Sequence, residues 1–172
     1  VDGDYEVLEA GKTLARIYGE RDLLISECIR EGVWSKLDPA GLAAMAAALV
    51  YEARREEEWE PRIPKGNFQE IMQTTTEIWE DLEDLAHSHK LGQTPPLDLS
   101  LSLPIHRWAS GAKLDSVLDS ADLLAGDFIR WTKQIIDLLD QVAQTAGPEL
   151  AETAKNAVDK VKRGIVAYSY YG

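Results

Sequence analysis

A chain of 172 residues with 45% hydrophobic content is long enough to bury a core of its own and suits one domain, or one domain with a small appendage. Its net charge of −12 creates a long-range field that repels phosphate backbones and anionic membrane surfaces, which excludes non-specific electrostatic binding to either by the chain as a whole. Any nucleic-acid contact has to be local and helped by a basic neighbour. The one cysteine, Cys28 in the apolar stretch LLISECI, reads as a small core residue, and an unpaired thiol suits a reducing compartment, so a cytoplasmic location is expected. No basic and apolar leader precedes VDGDYEV, and an opening valine is expected of a piece of a longer protein. The longest apolar run, 41 to 51, is about half of the roughly 20 residues a membrane span needs, so no membrane partner is expected.

Residues 1 to 10 hold Asp2-Gly3 and then Tyr5, Val7 and Leu8 among acidic residues, the pattern of a turn and one short strand. From Gly11 the apolar spacing is helical, with Leu14, Ile17 and Tyr18 in one segment and Leu24, Ile25, Cys28 and Ile29 in the next, stopped by Gly32. Asp38-Pro39 is an N-cap with proline at the first helical position. Leu42, Met45, Ala46, Leu49, Val50 and Ala53 then recur at three and four. Ala43, Ala44, Ala46, Ala47 and Ala48 would let neighbouring backbones come close, and the helix is expected to turn polar through EARREEEWE and end at Pro61 and Pro64.

Asn67 with Glu70 has the form of a capping box. Phe68, Ile71, Thr75, Ile78, Trp79, Leu82 and Leu85 then make one stripe running to about His87. GQTPPLDLSLSLP is a loop by its glycine and prolines, and IHRWASG and KLDSVLDSADL suggest two short helices. Gly126-Asp127 opens a helix through Ala146, Gly147-Pro148 breaks it, and a last helix is expected from Glu149 to about Tyr168. The sum is an all-α bundle of about eight helices over 11–172, preceded by a short strand in residues 1–10 for which this chain supplies no obvious partner.

Catalytic chemistry finds little support. Gly11-Lys12-Thr13 has the ending of a phosphate-binding loop, but Glu6 stands where the first glycine belongs and Glu9 would face the anion, so an ordinary helix start is favoured. Glu80, Glu83, Asp84, His87 and His89 cluster near one helix end. A di-iron bundle needs a matching second helix that His106 does not supply, and a solvated helix end explains the cluster. No nucleophile, base and orienting group form a triad. The tryptophans at 34, 59, 79, 108 and 131 lie at helical spacing beside aliphatic residues, which favours core over base stacking. Neither a catalytic residue nor a metal or cofactor of its own is expected in this chain.

DFIRWTKQIIDLLDQVA, 127 to 143, stands apart. At about 100° per residue Arg130, Lys133, Gln134, Asp137 and Gln141 fall on one narrow line, while Phe128, Trp131, Ile135, Leu138, Leu139 and Val142 cover the opposite half. Ile129 and Ile136 flank the stripe. A helix so apolar is buried on several sides, so its polar line faces solvent, a partner or a channel. Two readings stand: a line that grips a nucleic-acid strand, or a solvated stripe with an ion pair from Arg130 or Lys133 to Asp137.

The strings LARIYGERDLLISECIREGVW (14–34), LDPAGLAAMAAALVYEARRE (37–56), RWASGAKLDSVL (107–118), AGDFIRWTKQIIDLLDQVA (125–143) and RGIVAYS (163–169) resemble, in order, the DSHCT domain. This is the C-terminal helical domain of DExH-type superfamily 2 RNA helicases related to the exosome helicases, and the bacterial branch is the closer match. The resemblance implies that residues 1–10 are the tail of a winged-helix domain. It also implies that ATP and Mg²⁺ bind in RecA-like motor domains elsewhere in the parent chain, and that this domain packs against the motor and winged helix and presents a ratchet helix to single-stranded RNA. That helix matches 127 to 143, with strand-facing positions on Gln134 and Asp137 and with Arg130 and Lys133 beside them. Where related helicases often have arginine this chain has Gln134. An amide can read a base edge or a 2′-hydroxyl but gives up the charge-assisted phosphate contact. The resulting expectation is an RNA-guiding domain, binding single-stranded RNA weakly in isolation. The rivals are an acidic helical module binding another protein through EARREEEWE, and a metal enzyme built on Glu80 to His89.

Overall fold

The computed structural model describes residues 21–51, 62–88 and 97–170, and all regular structure among them is helical. The expected strand in 1–10, the helix around Leu14 to Tyr18, the Gly11-Lys12-Thr13 sequence and EARREEEWE lie outside the described residues. Two compact units divide the chain, Val1–Val33 with Gln73–Pro96 and Trp34–Met72 with Leu97–Gly172.

In the first unit, helix α1 occupies 21–30 and turns Leu24, Ile25 and Cys28 inward. Gly32 ends it at φ +69, where the amide of Val33 reaches the carbonyl of Cys28 at 3.0 Å and that of Gly32 reaches Ile29 at 3.1 Å. This pair of bonds satisfies two orphan carbonyls, and the left-handed conformation needs glycine. The Cys28 thiol hydrogen-bonds Thr75, which is fully buried on helix α3 (Phe68–Ser88). On the outer side of α1 the Arg30 guanidinium, 2.6 Å from Glu27, holds that carboxyl below its ordinary range. The stripe expected on α3 is buried at Phe68, Ile71 and Thr75 and half-buried at Ile78, Trp79 and Leu82. It ends there, because Leu85 is 58% exposed.

The second unit is organised around α2 (Pro39–Val50). Asp38 Oδ1 accepts from the Gly41 amide at 2.7 Å and Pro39 takes the first position, the cap read from the sequence. Every residue from Ala40 to Leu49 is buried. The alanines leave room for α4 (Ser102–Ala109), α6 (Ala125–Thr145) and α7 (Pro148–Val161), all of which pack on α2. Ser102 crosses to α2, its hydroxyl donating to the Ala44 carbonyl at 2.9 Å. Contrary to the expectation that α2 continues to Pro61, it stops at Val50. Tyr51 is extended (φ −78, ψ 137), and its ring packs edge-on to Trp131 of α6 at 4.9 Å, a tertiary contact that local spacing does not encode.

A 3-10 turn (Leu99–Leu101), capped by Asp98, leads directly into α4, so helix begins before the expected IHRWASG. Pro104 is tolerated because it lies in the first turn, where amides have no intrahelical acceptor. Helix α5 (Leu114–Ala121) follows, then α6 and α7 joined through Ala146-Gly147, and α8 (Gly164–Ser169) packs on α6. The expected unbroken last helix is two. Lys162 and Arg163 leave helical geometry, and Gly164 restarts it at φ +52, with the Trp108 indole 3.5 Å from where a side-chain carbon would sit. Arg163 braces the turn. Its Nε and Nη2 donate to the Trp108 carbonyl at 3.0 and 2.7 Å, Nη2 also donates to the Ala112 carbonyl at 2.6 Å, and the guanidinium lies 3.7 Å over the Trp108 ring. Trp108 returns a bond, Nε1 to the Val161 carbonyl at 2.8 Å.

Candidate nucleic-acid interface

Helix α6 carries every residue of the polar line. Phe128, Thr132, Ile135, Ile136, Leu139 and Val142 are buried against α2 and α7, with Thr132 returning its hydroxyl to the Ile129 carbonyl at 2.7 Å so that no polar atom is stranded. Ile129, Trp131 and Leu138 are half-buried, and Ile136 belongs to the core rather than to its margin. Trp34 and Trp108 are core residues, as the spacing suggested.

Against that packed face, Arg130, Gln134, Asp137 and Gln141 are all exposed, while Lys133 is half-buried. The two cations are used differently. Arg130 pairs with Asp127 at 3.3 Å, one turn towards the N-terminus, and lies 5.6 Å from the centre of the Trp131 ring. Both partners are solvent-exposed, so this pair contributes only a few tenths of a kcal/mol (~0.3) and leaves the guanidinium available. Among the described residues the helix's ion pair is thus Arg130 to Asp127, not one reaching Asp137.

Lys133 leans out of line. Its ammonium donates to the Ser169 carbonyl at 3.4 Å and stands 5.1 Å from the centre of the Tyr170 ring. Lys162 approaches the same ring at 4.2 Å. Burial, reinforced by Asp137 and Asp140, raises the Tyr170 hydroxyl above its ordinary pKa, so it is a proton donor throughout the neutral range. The turn after α7 and the end of α8 therefore place Lys162 and Tyr170 beside the α6 line. The sequence signal for them is the basic run of Lys160, Lys162 and Arg163 followed within one short helix by Tyr168 and Tyr170, which helical periodicity does not register.

A family model described as the DSHCT (NUC185) domain matches residues 4–169. The chain belongs to this family. It is 37% identical over 182 residues to the Probable helicase HelY of Mycobacterium tuberculosis, covering 97% of this chain and 20% of that protein. To HelY of Mycobacterium leprae it is 38% identical over 176 residues, 95% of this chain and 19% of the relative. To the chloroplastic DExH-box ATP-dependent RNA helicase DExH15 of Arabidopsis thaliana it is 27% identical over 166 residues, 91% of this chain and 14% of the relative. The DSHCT chain thus spans about a fifth of the length of the HelY proteins it matches.

Within this DSHCT domain the other candidates contribute less. Glu80, Glu83 and Asp84 lie on α3, His89 and the side chain of His87 fall outside the described residues, and no group of three or more potential metal ligands occurs among those described. No described helix is long and apolar enough to cross a membrane.

Proposed function

We propose that this DSHCT domain is the C-terminal helical domain of an ATP-dependent RNA helicase, where it packs against the RecA-like motor and a winged-helix domain and guides single-stranded RNA along α6. ATP hydrolysis with Mg²⁺ in the motor supplies the work of translocation. Residues of this domain hold and orient the strand. The observation that carries the reading is the exposed line of Arg130, Gln134, Asp137 and Gln141 on a helix otherwise packed into the core. Arg130 meets phosphate by charge, and the amide of Gln134 presents both a donor and an acceptor to base edges and 2′-hydroxyls. Asp137 accepts from a 2′-hydroxyl or an exocyclic amine and repels a misplaced phosphate.

In the full-length helicase, Gln134→Ala with Asp137→Ala is expected to lower unwinding more than ATP turnover, measured side by side on one preparation. Equal losses in both would overturn the strand-guiding role, because a change confined to the strand path leaves the hydrolytic site intact.

A further inference from the structure

Helix α8 delivers an aromatic and cationic cluster to the flank of the α6 line. Tyr170 is 39% exposed and Tyr168, in the last turn of α8, is 79% exposed. Two ammonium groups converge on the Tyr170 ring, Lys162 from the turn between α7 and α8 at 4.2 Å and Lys133 from α6 at 5.1 Å. Like charges brought to one ring repel each other. At an exposed site each ring contact returns little, and among the described residues neither ammonium has a carboxylate within ion-pair reach. The arrangement therefore sets two ammoniums without an ion-pair partner beside a protonated phenol, with Asp137 and Asp140 near enough to act on that hydroxyl but not paired with either lysine among the described residues.

The missing partner is an anion, and the chemistry next to it is an open π face. An apolar protein surface laid on Tyr168 would leave the two ammoniums unneutralised, and a free phosphate would leave the ring unused. One nucleotide of an unpaired strand satisfies both, since its phosphate meets the lysines and its base is free to stack on an exposed ring. Duplex RNA does not fit, because its bases already stack on one another.

We propose that Tyr168, Tyr170, Lys162 and Lys133 form a second single-stranded RNA contact that continues from the α6 line, with Tyr168 stacking on a base and the two lysines sharing a phosphate. The inference rests on the strand-guiding reading of α6. Lys133 belongs to this contact rather than to the line itself.

Photocrosslinking of a 4-thiouridine-substituted oligouridylate to the chain, at low salt and mapped by tryptic peptides, separates the two readings. The peptide that follows Arg163 is expected to carry a crosslink together with the peptide that follows Lys133. Crosslinks on the α6 peptide alone would overturn the α8 contact and leave strand guiding in place, and crosslinks on neither would overturn both. In parallel, Tyr168→Ala is expected to weaken binding of the same oligonucleotide by about tenfold with an unchanged melting temperature, and Tyr168→Phe to restore it. Lys162→Ala should flatten the dependence of log affinity on log salt by about 0.7. Unaltered affinity in Tyr168→Ala refutes the stacking role. So does a full-length helicase that is destabilised by Tyr168→Ala while its RNA crosslinks persist, a result assigning the ring to packing against another domain.

Discussion

Replacing Arg163 tests the join on which the placement of α8 depends. Its guanidinium bonds two carbonyls, those of Trp108 and Ala112, through contacts of 3.0, 2.7 and 2.6 Å, and stacks 3.7 Å over the Trp108 ring. A hydrogen bond to a charged group is worth about 1.5–3 kcal/mol net, and a partly exposed cation–π contact about 0.5–1 kcal/mol. Arg163 is only partly buried, enough that desolvation lowers its pKa, and water can replace part of what is lost, so the lower ends apply. Two carbonyls and one ring then give about 2–3 kcal/mol for Arg163→Ala after non-additivity. For a chain of this size that is a fall in Tm of about 4–12 °C, readable by circular dichroism. Arg163→Lys keeps the charge but cannot fork to both carbonyls, so about half the loss is expected. Lys162→Ala next to it, on an exposed side chain, should change stability by less than about 0.5 kcal/mol. An Arg163→Ala protein that unfolds with the parent would show that the break between α7 and α8 is held by something else.

Three further outcomes follow from named contacts. Gln134→Arg should tighten single-stranded RNA binding by about fivefold at low salt and steepen the salt slope by about 0.7, so that the gain shrinks at higher salt; an unchanged slope in a filter-binding titration would place the strand elsewhere. Burial pushes the Cys28 thiol up to about 12 from 9.0, so it is protonated in the folded state when the unfolded thiol ionises. Its contribution is therefore complete below pH 9.0 and is lost as pH rises from there towards about 12. The unfolding free energy from urea titrations should fall by on the order of 1 kcal/mol between pH 8 and 10 in the parent, and by correspondingly less in Cys28→Ala; parallel curves would contradict this. Asp38→Ala removes the acceptor of the Gly41 amide at 2.7 Å and should lower stability by about 1 kcal/mol in chemical denaturation, with no change in RNA affinity.

What the sequence made legible was what depends on spacing and local chemistry. The cap at Asp38-Pro39, the stop at Gly32, the buried α2 and the exposed polar line of α6 are each fixed by residues within a turn or two of one another. What it hid depends on residues far apart in the chain. The end of α2 at Val50 answers to Trp131, and the break after Val161 answers to Trp108 and Ala112, more than fifty positions away. Gly164 was the one local sign of that break, and a glycine inside an otherwise helical pattern does not by itself mark an end. The same limit explains the site. Periodicity finds the face of one helix, so it gathered Lys133 into the α6 line. Only the folded chain shows that its ammonium turns to Ser169 and Tyr170 instead.

The charge of the domain and its proposed ligand are opposed, and the site's own bookkeeping sharpens that tension. Arg163 is committed to carbonyls of its own domain and Arg130 shares its charge with Asp127. Asp137 and Asp140 lie close enough to Tyr170 to act on its hydroxyl, so they also weaken any phosphate nearby. The cations left with no carboxylate partner among the described residues at this site are Lys133 and Lys162. Two such charges against a net of −12 are too few to capture RNA from solution, and under the proposed function they are expected to steer only a strand that the motor already holds at high local concentration. Weak binding by the separate domain and a strong effect of its residues in the full-length helicase are therefore one consequence of the same charge distribution. Tight binding by the domain alone at physiological salt would contradict both.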